Sequence, residues 1–324
     1  MTATVAVAHY CEGAGHASRM LGVATALEAR GMETIMAGGG PGRRFVELNG
    51  YDEPDIPTVD FVRGFQRPEY LELLWRTPRG AVGRLRGFHR WLRTVDPGAI
   101  VSDDPFATIA ATRLGVPRFH IAHDPPEIYE TRLERLGARV RAWLPRRCGS
   151  TLIQPRIWEG TPRIEGAIVV DPIAHAGQGD APEVDVLLVP SAFTTDTSDL
   201  ADAIETAGRS VTTVGGAGWT AVPSLFPHID SAAAVVCSGY STAMEAAVAG
   251  TPCVVVPATS EQRGIARALR SVRGFCHADG PASAVACLDE VEVPAPRPNG
   301  AERVAQLVDE ALAHRGAGTP ATTG

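Results

Sequence analysis

The chain contains no lysine: all 30 of its basic residues are arginine, among 324 residues in total. That absence excludes a lysine Schiff base, a Walker-type phosphate lysine and the usual pyridoxal chemistry. Cysteine is scarce, and the six present (Cys11, Cys148, Cys237, Cys253, Cys276, Cys287) form no Cys-x-x-Cys pair. Several lie in apolar runs, so they read as small buried hydrophobes in a reducing compartment, not as a disulfide frame or a zinc site. No basic-then-apolar leader is visible and no run of 18 apolar residues occurs. A cytoplasmic protein without a membrane span is therefore expected.

The formal charge of -7 is unevenly spread. Up to Ile164 there are 22 arginines against 18 acids; beyond it there are 8 against 19. The asymmetry, the length and a Gly/Pro-rich stretch over 159–183 predict two domains, 1–164 and 165–315, with a disordered tail at 316–324.

Within each half, short β-branched runs alternate with helical stretches. In the first half the strands are expected at Thr4–Ala8, Glu33–Ala37, Ala99–Ser102 and Arg118–Ala122. In the second they are expected at Val184–Val189, Ser210–Val214, Ala233–Cys237 and Cys253–Val256, with a closing helix at Ala301–His314. Such alternation predicts an α/β fold of two tandem Rossmann-like, doubly wound domains, with ligands in a cleft outside the carboxyl ends of the strands.

The turn after the first run reads Gly13-Ala14-Gly15-His16-Ala17-Ser18-Arg19. Its glycines permit a tight turn, and Ala17-Ser18 in place of a third glycine argues against a dinucleotide site. His16 falls at a helix N-terminus, where the dipole favours a neutral imidazole able to act as a base. Asp103 and Asp104 follow the third run; each is either a helix cap or a group that orients His16 or holds an acceptor. His120 and His123, three apart on a strand, point to opposite faces, so no metal site is expected.

The second half holds Ser238-Gly239-Tyr240-Ser241-Thr242-Ala243-Met244-Glu245 between a strand and a helix that stops at Gly250. Amides and hydroxyls at such a helix start suit a diphosphate without any cation, so the missing lysine is no obstacle. Glu245, one turn in, is placed to accept hydrogen bonds from ribose hydroxyls.

These two strings, with the Asp103 passage, resemble nucleotide-sugar glycosyltransferases of the two-Rossmann (GT-B) type. The similarity is to the branch around the bacterial lipid-linked GlcNAc transferase MurG, and it covers about residues 1–275. It implies a metal-independent, inverting transfer from a nucleoside diphosphate sugar, UDP by preference, to an acceptor hydroxyl that is lipid-linked or on a glycan, with no cofactor. His16 and Asp103 would be catalytic. Gly15, Ser238, Gly239, Ser241, Thr242, Glu245, Glu261 and Gln262 would hold the donor, and Asp104, His123 and Asp124 the acceptor. Two other classes stay open: a nucleotide-sugar hydrolase or epimerase on the same architecture, and a non-catalytic donor-binding subunit of a membrane enzyme.

Between 62 and 93 lie eight arginines and only two acids, interleaved with aromatics. This stretch fits peripheral contact with an anionic membrane or a phosphate-bearing acceptor; the alternative is a solvated helix face over core aromatics. A second arginine cluster runs from Arg132 to Arg147. No nucleic-acid reader motif accompanies either, and no nucleic-acid partner is expected.

Overall fold

A computed structural model describes residues 3–59, 70–191 and 197–317. Two all-parallel sheets organise them. The first has the order β2-β1-β3-β4-β5-β6, from β1 (Thr4–Ala8), β2 (Glu33–Ala37), β3 (Ala99–Ser102), β4 (Arg118–Ile121), β5 (Thr151–Pro155) and β6 (Ile168–Val170). The second has the order β11-β10-β9-β7-β8, from β7 (Val184–Val189), β8 (Val211–Thr213), β9 (Ala232–Cys237), β10 (Cys253–Val255) and β11 (Phe275–His277). Central strands such as β9 are apolar on both faces because crossover helices cover both. The expected doubly wound α/β architecture is what the chain adopts.

Helices are numbered in chain order. The first domain has α1 (Ala14–Glu28), α2 (Arg43–Leu48), α3 (Tyr70–Val95), α4 (Pro105–Ala110) and α5 (Arg132–Arg147). The second has α6 (Ser198–Thr206), α7 (Phe226–Asp230), α8 (Tyr240–Ala249), α9 (Ser260–Leu269) and α10 (Pro281–Glu290); α11 (Gly300–Ala317) ends the described chain. Helix α8 stops at Gly250, whose φ of +80° is the left-handed conformation a C-terminal cap requires.

Three expectations need correction. The boundary at Ile164 falls too early, although the short apolar run Ala167–Val170 does end the first sheet as its composition suggests: β6 pairs with β5 at the sheet edge. Helix α11 crosses back and places Ala301, Val304, Ala305 and Val308 in the core around α1, so residues 165–315 are not one unit. The helix also reaches Ala317, inside the stretch expected as a tail; 318–324 lie outside the described residues. Finally, Cys276 and Cys287 form a disulfide, with Cα atoms 5.8 Å apart. Consecutive β11 and α10 pack so as to juxtapose them, which an eleven-residue spacing does not announce.

One strand in each sheet marks where the chain reverses its direction of travel across the sheet. In the first, β1 is flanked by β2 on one side and β3 on the other; in the second, β7 is flanked by β8 and β9. Such switch points open a crevice at the strands' carboxyl ends, and ligands of doubly wound sheets bind there. The two crevices face each other, and α1 packs against α8 across the gap.

Candidate functional site

At the first switch point the β1 and β3 ends are tied together by the Tyr10 backbone N–H, which donates to Asp103 Oδ1 at 2.8 Å. Asp103 Oδ2 accepts from His16 Nδ1 at 2.7 Å and from the Arg19 guanidinium, one turn further along α1. With Nδ1–H donating to Asp103, the lone pair of His16 lies on Nε2. A quarter of the His16 side chain is exposed (25%), whereas Asp103 and Arg19 are covered. Burial would raise the Asp103 carboxyl, but His16 and Arg19 hold it far below the usual carboxylate range. Burial lowers the His16 pKa, outweighing the opposing pull of Asp103. Burial thus favours the neutral imidazole.

His123, just past β4, lies over this pair: its ring centroid is 5.8 Å from that of His16 and 5.9 Å from that of Tyr240. Its Nε2 meets Glu261 Oε1 of α9 at 3.0 Å, so the contact joins the two domains. Glu261 keeps 37% of its side chain exposed. Burial opposes its ionisation, yet His123 and Arg141 draw its pKa down to about 2. His120, by contrast, turns to Thr108 at 2.9 Å. The two histidines part as strand geometry requires.

At the second switch point Ser238 Oγ accepts from the Ser191 backbone N–H at 3.1 Å, linking the ends of β7 and β9. Gly239 caps α8, and among the described residues a Cβ there would meet nothing within 4 Å. Thr242 lies buried in the first turn. Ser241 donates to the Gly15 carbonyl at 2.7 Å, and a Cβ on Gly15 would come within 2.9 Å of Ser241. Only glycine allows the two helix starts to approach this closely.

Four further expected contacts are engaged inside the protein. Glu245 is buried: it accepts from Ser18 Oγ at 2.5 Å and from the His175 backbone N–H, and burial lifts its pKa to about 7. Glu245 is thereby enclosed in the α1–α8 contact. Gln262 caps its own helix, its Oε1 accepting from the N–H groups of Ala258 and Thr259 at 2.8 and 3.1 Å. Asp124 accepts from Arg141 Nε and the Tyr129 hydroxyl, both at 3.1 Å. Asp104 is corrected outright as an acceptor contact. It is fully buried, caps α4 through the Phe106 N–H at 2.6 Å and pairs with Arg84 at 2.5 Å.

Sequence reasoning missed Arg19 and Arg84. Arg19 stood in the quoted motif, three residues after His16 and so on the same helical face. Arg84 was counted with the exposed basic stretch, but it is fully buried against Asp104, the Pro57 carbonyl and the Phe88 ring. Its four-residue spacing from Phe88 was the available signal. Arg63 and Arg67, and the side chains of Arg76 and Arg79, lie outside the described residues.

No protein-family model matches the chain, and no curated protein matches its sequence. Solved structures do. The glycosyltransferase SnogD from Streptomyces nogalater is 18% identical, with 96% of this chain and 100% of that one covered and a TM-score of 0.62. The Streptomyces sp. SF2575 glycosyltransferase SsfS6, complexed with thymidine diphosphate, gives 16%, 95%, 100% and 0.61. Acinetobacter baumannii MurG gives 13%, 96%, 100% and 0.59. Along nearly its whole length, the chain has the two-domain fold of these glycosyltransferases.

Proposed function

We propose that the protein is a glycosyltransferase that moves a sugar from a pyrimidine nucleoside diphosphate to an acceptor hydroxyl, with inversion at the anomeric carbon. One observation carries this reading: the His16–Asp103 pair at the first switch point faces the amide-bearing start of α8 at the second. His16 Nε2 takes the acceptor proton as the acceptor oxygen bonds to the anomeric carbon. The bond from that carbon to the diphosphate breaks, and its electron pair leaves with the diphosphate. Amides around Gly239 and Ser241 meet the departing charge, so the reaction needs no divalent cation.

Asp103, anchored by Arg19, fixes the tautomer of His16 and steadies the imidazolium that forms. Glu261, at the cleft surface beside His123, is placed to hold sugar hydroxyls. Glu245 becomes a ribose contact when the Ser18 hydroxyl gives way to one from the ribose. The thymidine diphosphate in the SsfS6 complex supports a pyrimidine base. A thermal-shift series over UDP, TDP and their sugars tests the donor. Ligand at about a hundred times its Kd stabilises by about 2.7 kcal/mol. No shift with any pyrimidine diphosphate contradicts the proposal. Rapid donor breakdown without an acceptor would assign the same site to hydrolysis.

A further inference from the structure

Among the described side chains, helix α5 carries the largest group of exposed large apolar residues on any one helix. Leu133, Leu136, Val140 and Trp143 are 78%, 55%, 50% and 57% exposed. At 100° per residue these four positions fall within one narrow stripe. Arg132, Arg139 and Arg146 repeat every seven residues along one border of the stripe, and Arg147 lies at its end. The helix holds six arginines against the single acid Glu134, which is engaged by Thr131 and by Ser260 of α9. The opposite face is covered: Ala138 and Pro145 are buried there.

We infer that α5 is a docking helix for an anionic lipid surface, lying in the headgroup layer with its Leu/Val/Trp stripe inserted and its arginine row on lipid phosphates. Apolar burial flanked by arginine is the chemistry that holds an interfacial helix on a bilayer. A second copy of the chain is a poorer occupant. A two-fold contact would set like-charged arginine rows against each other. Four side chains also fall far short of the about 20 residues a side of a stable interface. Helix α3, by contrast, buries Arg84, Phe88, Trp91 and Leu92, so its described part has no comparable stripe.

The placement bears on the cleft. From the same helix, Arg141 holds Asp124 and Arg135 Nε donates to the Tyr129 carbonyl at 2.8 Å. A bilayer under α5 therefore lies one helix away from His123. Docking itself needs no donor and no transfer, so it stands or falls apart from the proposed reaction.

The test is flotation of the whole chain with vesicles of equal phosphatidylglycerol and phosphatidylcholine, against phosphatidylcholine alone. The wild type should float with the anionic vesicles and weaken as salt is raised. The variant L136S/W143S should partition at least about tenfold less, as should R132E/R139E/R147E. Both should keep the wild-type circular dichroism and melting temperature, because the altered side chains are exposed. Two controls should float like the wild type: V293S, at an exposed apolar site in the second domain, and R86E/R90E/R93E on α3. A wild type that stays at the bottom overturns the inference, as does an unimpaired L136S/W143S variant or a control that loses binding. A dimer in sedimentation velocity that L136S/W143S dissolves would assign the stripe to a second copy instead.

Discussion

The two switch points sit at equivalent places in two similar sheets and are chemically unlike. The first is a buried charge cluster, Arg19–Asp103–His16, with an imidazole edge left open. The second, around Ser238, Gly239 and Ser241, has no ionised side chain at its turn: it offers the amides of a helix start, with the Ser241 hydroxyl on the Gly15 carbonyl. A proton acceptor must be tuned and oriented, which takes charges. A diphosphate brings its own charge and is held by oriented dipoles. The same fold thus gives one end proton chemistry and the other anion binding.

The contrast can be broken by substitution. The largest effect is expected for His16→Ala, which should lower kcat by about 10²–10⁴-fold, the range of a positioned general base. Asp103→Asn should lower kcat as well, by less, and leave donor affinity unchanged in a titration. Arg84→Ala attacks the support beneath this cluster. It strands the buried Asp104 carboxylate and should cost about 3–5 kcal/mol in denaturant unfolding. On the other side, Ser241→Ala removes one hydroxyl, and donor binding should weaken by only about 1 kcal/mol.

A pH series sharpens the comparison further. Glu245 has a pKa of about 7 in the folded protein against an ordinary 4.5. Burial raises it against the pull of the Ser18 hydrogen bond, so the protonated form favours the folded state. That stability is fully present below about pH 4.5 and is lost as pH rises through about 7. Melting temperature should fall over that interval, and Glu245→Gln should flatten the fall. Asp103 and Glu261 have the opposite sign: their lowered values contribute stability above the ordinary carboxylate range that disappears in acid. The smallest expected effect is that of a chelator, which should leave turnover unchanged.

Much of the fold was legible because buried parallel strands are short β-branched runs, and β1, β2, β3 and β7 fall where such runs predict them. Strand β5 was missed: its run includes the buried Gln154, whose Oε1 accepts from the Ile164 N–H, and ends at Pro155. Strand β11 is three residues long, too short for a pattern, and α10 is built largely from small residues. In the site, the geometry of His16 and Asp103 followed from a turn, a helix start and the next strand's end. What could not be read were the contacts between residues far apart in the chain. Ser18 on Glu245 and His123 on Glu261 depend on how the domains meet, and no local period encodes that. Arg84 misled because arginine counts say nothing about which face of a helix is buried.

The most direct test measures donor affinity and turnover on one preparation of His16→Ala. If one switch point moves the proton and the other holds the donor, donor Kd stays within about twofold while turnover collapses. Turnover like the wild type's would contradict the account, and so would a parallel loss of donor binding.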